Sequence, residues 1–347
     1  MNEIRNEVPG SGGYKIVVAN WVHEDVLREL RPYGQIISNE TREPWPREKL
    51  IDRCKDADAL VAFMPEAIDE GFVLSCPNLK IIACALKGYD NFDVAACTRH
   101  GVWLSIVPDL LTAPTAELAV GLMISVGRNM LPGAAHVRSG NYAGWRPRYY
   151  GRSLDGSTVG LVGAGAVGKA IARRLSGFRC QLLYFDKQRL TPDEEDELRL
   201  QRVSMEELRK KSHFLVLALP LNDDTFHIVD AHFLADLQRD CYLINPARGS
   251  LVDENAVAEA LEAGELCGYA ADTFECEDWA RTDRPAGVGA RLINSEKTVL
   301  TPHIGSAVNS VRLDIAREAA KSVKQCLSGQ RPDGAINTPI SEALNKT

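Results

Sequence analysis

The chain has 347 residues, 25% of them charged and 45% hydrophobic, which is ordinary for a globular protein and long enough for two domains. A net charge of −7 with no basic run argues against nucleic acid or an anionic membrane as partner. Nine cysteines without C-x-x-C spacing and seven histidines without an H-E-x-x-H pair argue against a disulfide framework and a metal site, and read as a reducing, cytoplasmic setting.

Residues 1–13 are polar and Gly-rich, with no apolar stretch to serve as a signal peptide, and read as a disordered leader. Tyr14–Ala19 is predicted as a buried strand, followed by a helix near Glu24–Leu30. Ala59–Phe63 and Lys80–Ala85 are two more buried strands with a helical stretch between them. Val102–Ile106 closes this unit, and Pro108 punctuates it. Alternating β and α segments of this kind predict a parallel, doubly wound sheet.

A helix then starts near Thr112, with Thr112 or Thr115 as cap and Pro114 in the first turn. From Glu117 to Val126 it is apolar around almost its whole circumference, so it is expected to be buried on more than one side. One face suits its own domain and the other a partner subunit, which predicts a homodimer. Ala116–Val126 is too short and too interrupted to span a bilayer.

The stretch from Thr158 to Gly168 is a short apolar strand running into G-x-G-x-x-G, and Lys169–Leu175 continues with helical periodicity. A second apolar run, Gln181–Phe185, ends on Asp186, eighteen residues beyond Gly168. These are the parts of a dinucleotide site in their working order. Gly163 permits the tight turn, Gly165 lets backbone approach a pyrophosphate, and Gly168 lets helix pack close on strand. The helix N-terminus offers free N–H groups to phosphates, and Asp186 can accept from ribose hydroxyls. The expected cofactor is NAD.

Further strands are predicted at Phe214–Leu219, Cys241–Asn245, Gly268–Ala271 and Thr298–Thr301, with a helix at Glu254–Ala263. A last helix, Val311–Leu327, is long enough to return to the first unit. The expected architecture is α/β with two doubly wound parallel-sheet domains. A Rossmann cofactor domain, 111–305, is inserted in a discontinuous, flavodoxin-like substrate domain, 1–110 and 306–347, with chemistry in the cleft between them.

Four loops follow candidate strands and carry polar side chains: Leu86–Asn91, Asn245–Ser250, Asp272–Trp279 and Thr301–Ser306. Ligands of parallel α/β sheets bind at the carboxyl ends of strands, where these loops lie. The segments N-P-A-R-G-S, D-x-F-x-x-E and T-P-H-I-G, in this order after G-A-G-A-V-G and an acid, resemble the D-isomer-specific 2-hydroxyacid dehydrogenases over residues 14 to about 330. Within that family, A-C-A-L-K-G-Y-D-N-F-D, F-M-P, F-E-C-E-D-W-A-R-T-D-R-P and H-I-G-S-A-V-N-S-V-R look most like the phosphonate (phosphite) dehydrogenases.

The resemblance implies oxidation of phosphite to phosphate with hydride transfer to NAD. It implies Arg248, Glu277 and His303 as catalytic residues, and Lys87, Gly88, Met64, Tyr150 and Arg312 as the substrate pocket. The cofactor contacts it implies include Lys87, Thr115, Ala166, Val167, Leu219 and Pro220 beside the fingerprint glycines and Asp186. Pro246, Ala247, Asp272, His303 and Gly305 complete that set.

Arg248 offers a planar fork to an oxyanion, and a histidine held by a carboxylate is a usual acid–base pair. Glu275 and Asp278 compete with Glu277 for the role beside His303. Met64 is as suited to plain packing as to a pocket wall. Lys87 separates the substrates: with Arg248 it matches a phosphite dianion, whereas a monocarboxylate leaves one cation uncompensated. Contact with the cofactor is the other reading of Lys87. Two positions depart from the resemblance, Asp186 in place of a longer Glu with Lys187 after it, and Ala247 in place of a cysteine. The rival readings are a D-2-hydroxyacid dehydrogenase or 2-oxoacid reductase, and an NAD(H)-binding regulatory protein.

Overall fold

The computed structural model describes residues 13–107 and 109–340. The leader expected at 1–13 thus falls outside the described residues except for Gly13, and Pro108 falls outside them too. The chain divides into two compact units. The first comprises residues up to Leu111, Trp279–Thr282, and residues from Val308 onward; the second comprises Thr112–Asp278 and Asp283–Ala307.

The first unit runs β1 Tyr14–Val18, α1 Glu24–Leu30, β2 Gly34–Ser38, α2 Arg47–Cys54, β3 Ala59–Ala62, α3 Glu70–Ser75, β4 Ile81–Cys84, α4 Val94–Arg99 and β5 Trp103–Ser105. All five strands are parallel in the order β2-β1-β3-β4-β5, so the chain reverses direction across the sheet between β1 and β3. β3 and β4 are fully buried, as are Ile16–Val18 of β1, because these apolar residues face helices on both sides. β2 was not expected from the sequence. It lies on the sheet edge and only Gly34 is buried, so it lacks the continuous apolar run that marks an inner strand.

The second unit runs α5 Thr112–Gly127, α6 Met130–Arg138, β6 Thr158–Val162, α7 Ala166–Leu175, β7 Gln181–Phe185, α8 Pro192–Leu198, β8 Leu200–Arg202, α9 Met205–Lys211 and β9 Phe214–Leu217. It continues with α10 Ala231–Ala235, β10 Tyr242–Asn245, α11 Glu254–Ala263, β11 Gly268–Ala271, α12 Ala290–Ile293 and β12 Thr298–Leu300. Its seven strands are parallel in the order β12-β11-β10-β9-β6-β7-β8, with the reversal between β6 and β9. The last helix, α13 Asn309–Leu327, packs Ile315, Ala319 and Val323 into the core of the first unit.

One expectation about the units needs correction. The second unit is not continuous to residue 305, since Trp279–Thr282 belongs with the first unit, where the Ala280 N–H donates to Asn91 Oδ1 at 3.2 Å. The all-round apolar α5 buries one face inside its own unit, as expected. Ala116, Ala119, Leu122, Met123 and Val126 are buried in one core with α7 residues Ile171 and Leu175. Among the described residues no single helix is long and apolar enough to cross a membrane; α5 and α6 pass that test only as a pair bent by 65°.

Candidate active site

The dinucleotide end of the second unit is built by backbone constraints. Gly163 ends β6 with φ +100°, a conformation that L side chains rarely adopt, and a Cβ there would lie 2.4 Å from the Ala218 carbonyl oxygen. Gly168 lies in the first turn of α7, where a Cβ would fall 2.4 Å from the Gly163 carbonyl oxygen. Both glycines therefore let α7 approach the β6–β9 reversal. Gly165 is different: a Cβ there would meet nothing within 4 Å. It is the N-cap of α7 and supplies no side-chain cap, so the helix presents open N–H groups through Ala166 and Val167 to that free space. Asp186, just beyond β7, accepts the Ala164 N–H at 2.8 Å and the Gln188 N–H at 2.9 Å. This cradle fits a dinucleotide. Lys187 points its charge at Asp224, 2.8 Å away. Leu219 and Pro220 follow β9 in a turn pinned by Thr225, whose hydroxyl donates to the Pro220 carbonyl at 2.8 Å.

Three loops at the carboxyl ends of β10, β11 and β12 meet in the same unit. Asn245 organises the first by donating to the Arg248 carbonyl at 2.7 Å and accepting the Ala247 N–H at 3.1 Å, with Pro246 buried between them. Arg248 is half-buried, and its guanidinium donates to the Ala247 carbonyl at 2.9 Å. Asp272 organises the third loop: its carboxylate accepts from the Thr301 hydroxyl at 2.6 Å and from the N–H groups of Ile304 and Gly305, both at 2.8 Å. Burial raises the Asp272 pKa, and those three donors oppose the rise. Thr115 of α5 stands beside Gly305, where a Cβ would come within 3.2 Å of its hydroxyl.

His303 is held in the left-handed region at φ +53°, fixed by its N–H donating to the Asp272 carbonyl at 2.8 Å. Its Nδ1 lies 2.5 Å from Glu277 Oε2, and the Phe274 N–H donates to Glu277 Oε1 at 2.8 Å. The carboxylate makes Nδ1 the protonated nitrogen and leaves Nε2 as an acceptor. Geometry thus decides between the three candidate acids. Glu275 accepts the Glu254 N–H at 3.0 Å and Asp278 accepts the Ser250 hydroxyl at 2.8 Å, while Glu277 alone of the three bonds His303.

The first unit has its own cluster at the carboxyl ends of β3 and β4. Lys87 and Gly88 follow β4 and are half-buried, and the Lys87 ammonium makes no hydrogen bond or ion pair among the described residues. Met64 follows β3, and its carbonyl accepts from Asn91 at 3.4 Å. The guanidinium of Arg312, in the first turn of α13, lies 6.0 Å from the Phe63 ring centroid, and burial pulls its pKa down. Beneath them lies Glu66, which the sequence reading passed over. It accepts the Phe63 N–H at 2.5 Å and the Asn20 amide at 2.7 Å, tying the loops on either side of the β1–β3 reversal. Burial pushes its pKa up to about 7. An acid directly after a fully apolar strand, in F-M-P-E, was the available signal.

Tyr150 needs correction. It is 75% exposed on the stretch after α6, and its carbonyl is held by the Asn129 amide at 3.1 Å. The adjoining Arg152 N–H donates to Gly127, which packs on Phe214 at the start of β9. Within one chain Tyr150 therefore lies toward the amino ends of the strands, opposite the loops of Arg248 and His303. The sequence reading missed this because a loop of this length has no periodicity to orient it.

The model of the D-isomer specific 2-hydroxyacid dehydrogenase NAD-binding domain matches residues 120–305, more than half of the chain. A glyoxylate reductase of Pyrococcus furiosus is 34% identical over 331 residues, covering 94% of this chain and 96% of that protein. A glyoxylate reductase of Pyrococcus horikoshii is 35% identical over 300 residues, covering 85% and 87%. Among solved structures, a Thermus thermophilus protein superposes with a TM-score of 0.83 at 30% identity, over 93% of this chain and 99% of its own.

Proposed function

The chain belongs to the D-isomer specific 2-hydroxyacid dehydrogenase family and is by that membership an NAD-dependent dehydrogenase, and we propose that the substrate it oxidises is phosphite, giving phosphate. The observation that carries this reading is Lys87. It is a half-buried cation at the carboxyl end of β4, with no carboxylate partner among the described residues. Such a charge costs free energy unless a ligand neutralises it. Arg312 lies in the same unit as a second cation, and a pair of cations suits a dianion better than a monocarboxylate.

Bound NAD supplies the hydride acceptor, the nicotinamide C4, for the hydrogen that leaves phosphorus. The chain's own residues do the rest. Lys87, Arg248 and Arg312 bind and orient the phosphite oxygens and offset their charge. His303, with Nδ1 engaged by Glu277, uses Nε2 to take the proton from the water whose oxygen joins phosphorus. One P–H bond breaks and one P–O bond forms, the hydride goes to NAD, and the water proton ends on the imidazole. Ala166–Gly168 and Asp186 would hold the dinucleotide by its diphosphate and ribose.

The relatives, glyoxylate reductases, favour a second reading over phosphite, reduction of a 2-oxo acid. In it Arg248 grips the carboxylate and His303 delivers a proton to the carbonyl oxygen. One experiment separates the readings: NADH formation from phosphite, against NADH consumption with glyoxylate and NADH formation from glycerate or lactate. Turnover of phosphite alone supports the proposal; turnover of the organic acids alone replaces it. NAD binding without turnover of any of them points to a regulatory protein instead.

A further inference from the structure

Glu254, the first residue of α11, is buried and has no part in the chemistry described above. Its N–H donates to Glu275 Oε1 at 3.0 Å, and the Glu275 N–H donates back to Glu254 Oε1 at 2.8 Å. The pairing joins the end of the Arg248 loop to the turn that carries Glu277. Asp253 already caps α11 by accepting the Asn255 and Ala256 N–H groups, so Glu275 takes the donor that this cap leaves over. The positive end of the helix favours the Glu275 charge there.

Three other contacts press the same two loops together. Ser250 donates to Asp278 at 2.8 Å, and its carbonyl accepts the His227 N–H at 2.8 Å. His227 Nε2 lies 3.2 Å from Glu275 Oε1. Gly249 has no room for a side chain, since a Cβ would fall 1.8 Å from the Phe274 carbonyl carbon. Glu277 is thus flanked by two braced acids, Glu275 and Asp278. Within the turn its carboxylate accepts the Phe274 N–H, and its own N–H donates to the Phe274 carbonyl at 3.0 Å.

We propose that Glu254 is a positioning residue: its reciprocal bond with Glu275 keeps Glu277 against His303 and in fixed relation to Arg248. Burial, with Glu275, Glu277 and Asp253 adding like charge, pushes the Glu254 carboxyl up to about 7. The neutral form is thus well populated near neutrality, and glutamine reproduces its shape and its acceptor. The inference rests on His303 and Glu277 acting as the acid–base pair, whichever substrate they serve.

The test reads that pair directly. In the full chain, the His303 Nδ1 proton bonded to the Glu277 carboxylate is followed as a downfield proton resonance, assigned by its loss in His303→Asn. Glu254→Ala abolishes or strongly weakens this signal, lowers turnover by about tenfold on whichever substrate the protein uses, and changes the NAD dissociation constant by less than about twofold. Glu254→Gln keeps the signal. A full-strength signal in folded Glu254→Ala, or its loss in Glu254→Gln, overturns the proposal. Should the alanine variant not fold, Glu254→Asp keeps the carboxyl but falls one methylene short of the Glu275 N–H. Loss of the resonance there supports the role and retention refutes it. No substrate enters this measurement, so failure of the phosphite reading shows separately, in the substrate panel.

Discussion

Glu277 Oε2 stands 2.5 Å from His303 Nδ1, while the other oxygen of the same carboxylate is tied to the Phe274 N–H at 2.8 Å. The imidazole is thereby fixed in one tautomer with Nε2 available. His303→Asn is expected to bind NAD as before and to lose turnover by at least about a hundredfold, the usual size of general acid–base catalysis. Glu277→Gln keeps an acceptor for the Phe274 N–H but loses the carboxylate that holds Nδ1, and its turnover should fall toward that of His303→Asn. Near-normal rates in His303→Asn would move the proton transfer to another group.

Lys87 tests the substrate. If its ammonium pairs with the phosphite dianion, Lys87→Ala removes a charge-assisted bond of about 1.5–3 kcal/mol, or roughly ten- to a hundredfold in kcat/KM. Lys87→Arg retains part of the activity, because the charge survives while the geometry changes. The NAD dissociation constant should stay within about twofold. Equal weakening of NAD and phosphite would make Lys87 a cofactor contact and withdraw the main support for phosphite.

Asp186 is the expected determinant of cofactor choice. If Asp186 binds the adenosine ribose as expected, its carboxylate would face the 2′-phosphate of NADP, and like charges there repel. Lys187 offsets this only in part, because Asp224 lies 2.8 Å from its ammonium. NAD should be preferred in kcat/KM, and Asp186→Ala should narrow the gap, mostly by weakening NAD, since the loop also loses the acceptor for the Ala164 N–H. Equal efficiency with both cofactors in the unaltered protein would contradict this.

What was legible in the sequence follows what packing imposes on it. Inner strands such as β4 and β9 are buried on both faces and must be apolar throughout, so Ile81–Cys84 and Phe214–Leu217 announce themselves. The edge strands β2 and β8 are partly exposed, and Gly34–Ser38 and Leu200–Arg202 carry no such run. The Arg248, Glu277 and His303 loops could be read from motif order. Glu66 and the Glu254–Glu275 pair could not, because a buried acid is intelligible only beside the backbone N–H it accepts. Tyr150 was misplaced for the related reason that no local pattern says which end of a sheet a long loop serves.

Glu66 gives the fold a pH dependence with a definite sign. Its carboxyl sits at about 7 in the folded chain against an ordinary 4.5, with burial the main cause. Between those values the folded state holds a proton that the unfolded state has released, so stability falls as pH rises through this window. The loss amounts to roughly 3 kcal/mol at full ionisation. Glu66→Gln keeps an acceptor for the Phe63 N–H and cannot ionise. Its unfolding free energy should therefore decline less than that of the unaltered chain between about pH 5 and pH 8. Parallel denaturation curves for the two proteins across that range would show that Glu66 does not titrate there.

The exposed apolar side chains predict a homodimer, on a surface that joins α6 to the outward face of α5. Much of α5 is committed to its own core, but Met130, Leu131 and Val137 of α6 are exposed, and Trp145 on the following stretch is 74% exposed. The outward residues Leu118, Val120 and Ile124 of α5 are only partly buried. Apolar side chains grouped on one helix and its neighbours exceed what a monomer usually leaves in water, and a second copy of the same surface is the simplest cover. Sedimentation at micromolar concentration should give twice the 38.1 kDa chain mass. Leu131→Asp combined with Trp145→Asp should shift the protein to monomer while preserving NAD binding by the second unit. A monomer in the unaltered protein would remove the prediction, and a dimer that withstands both substitutions would place the seam elsewhere.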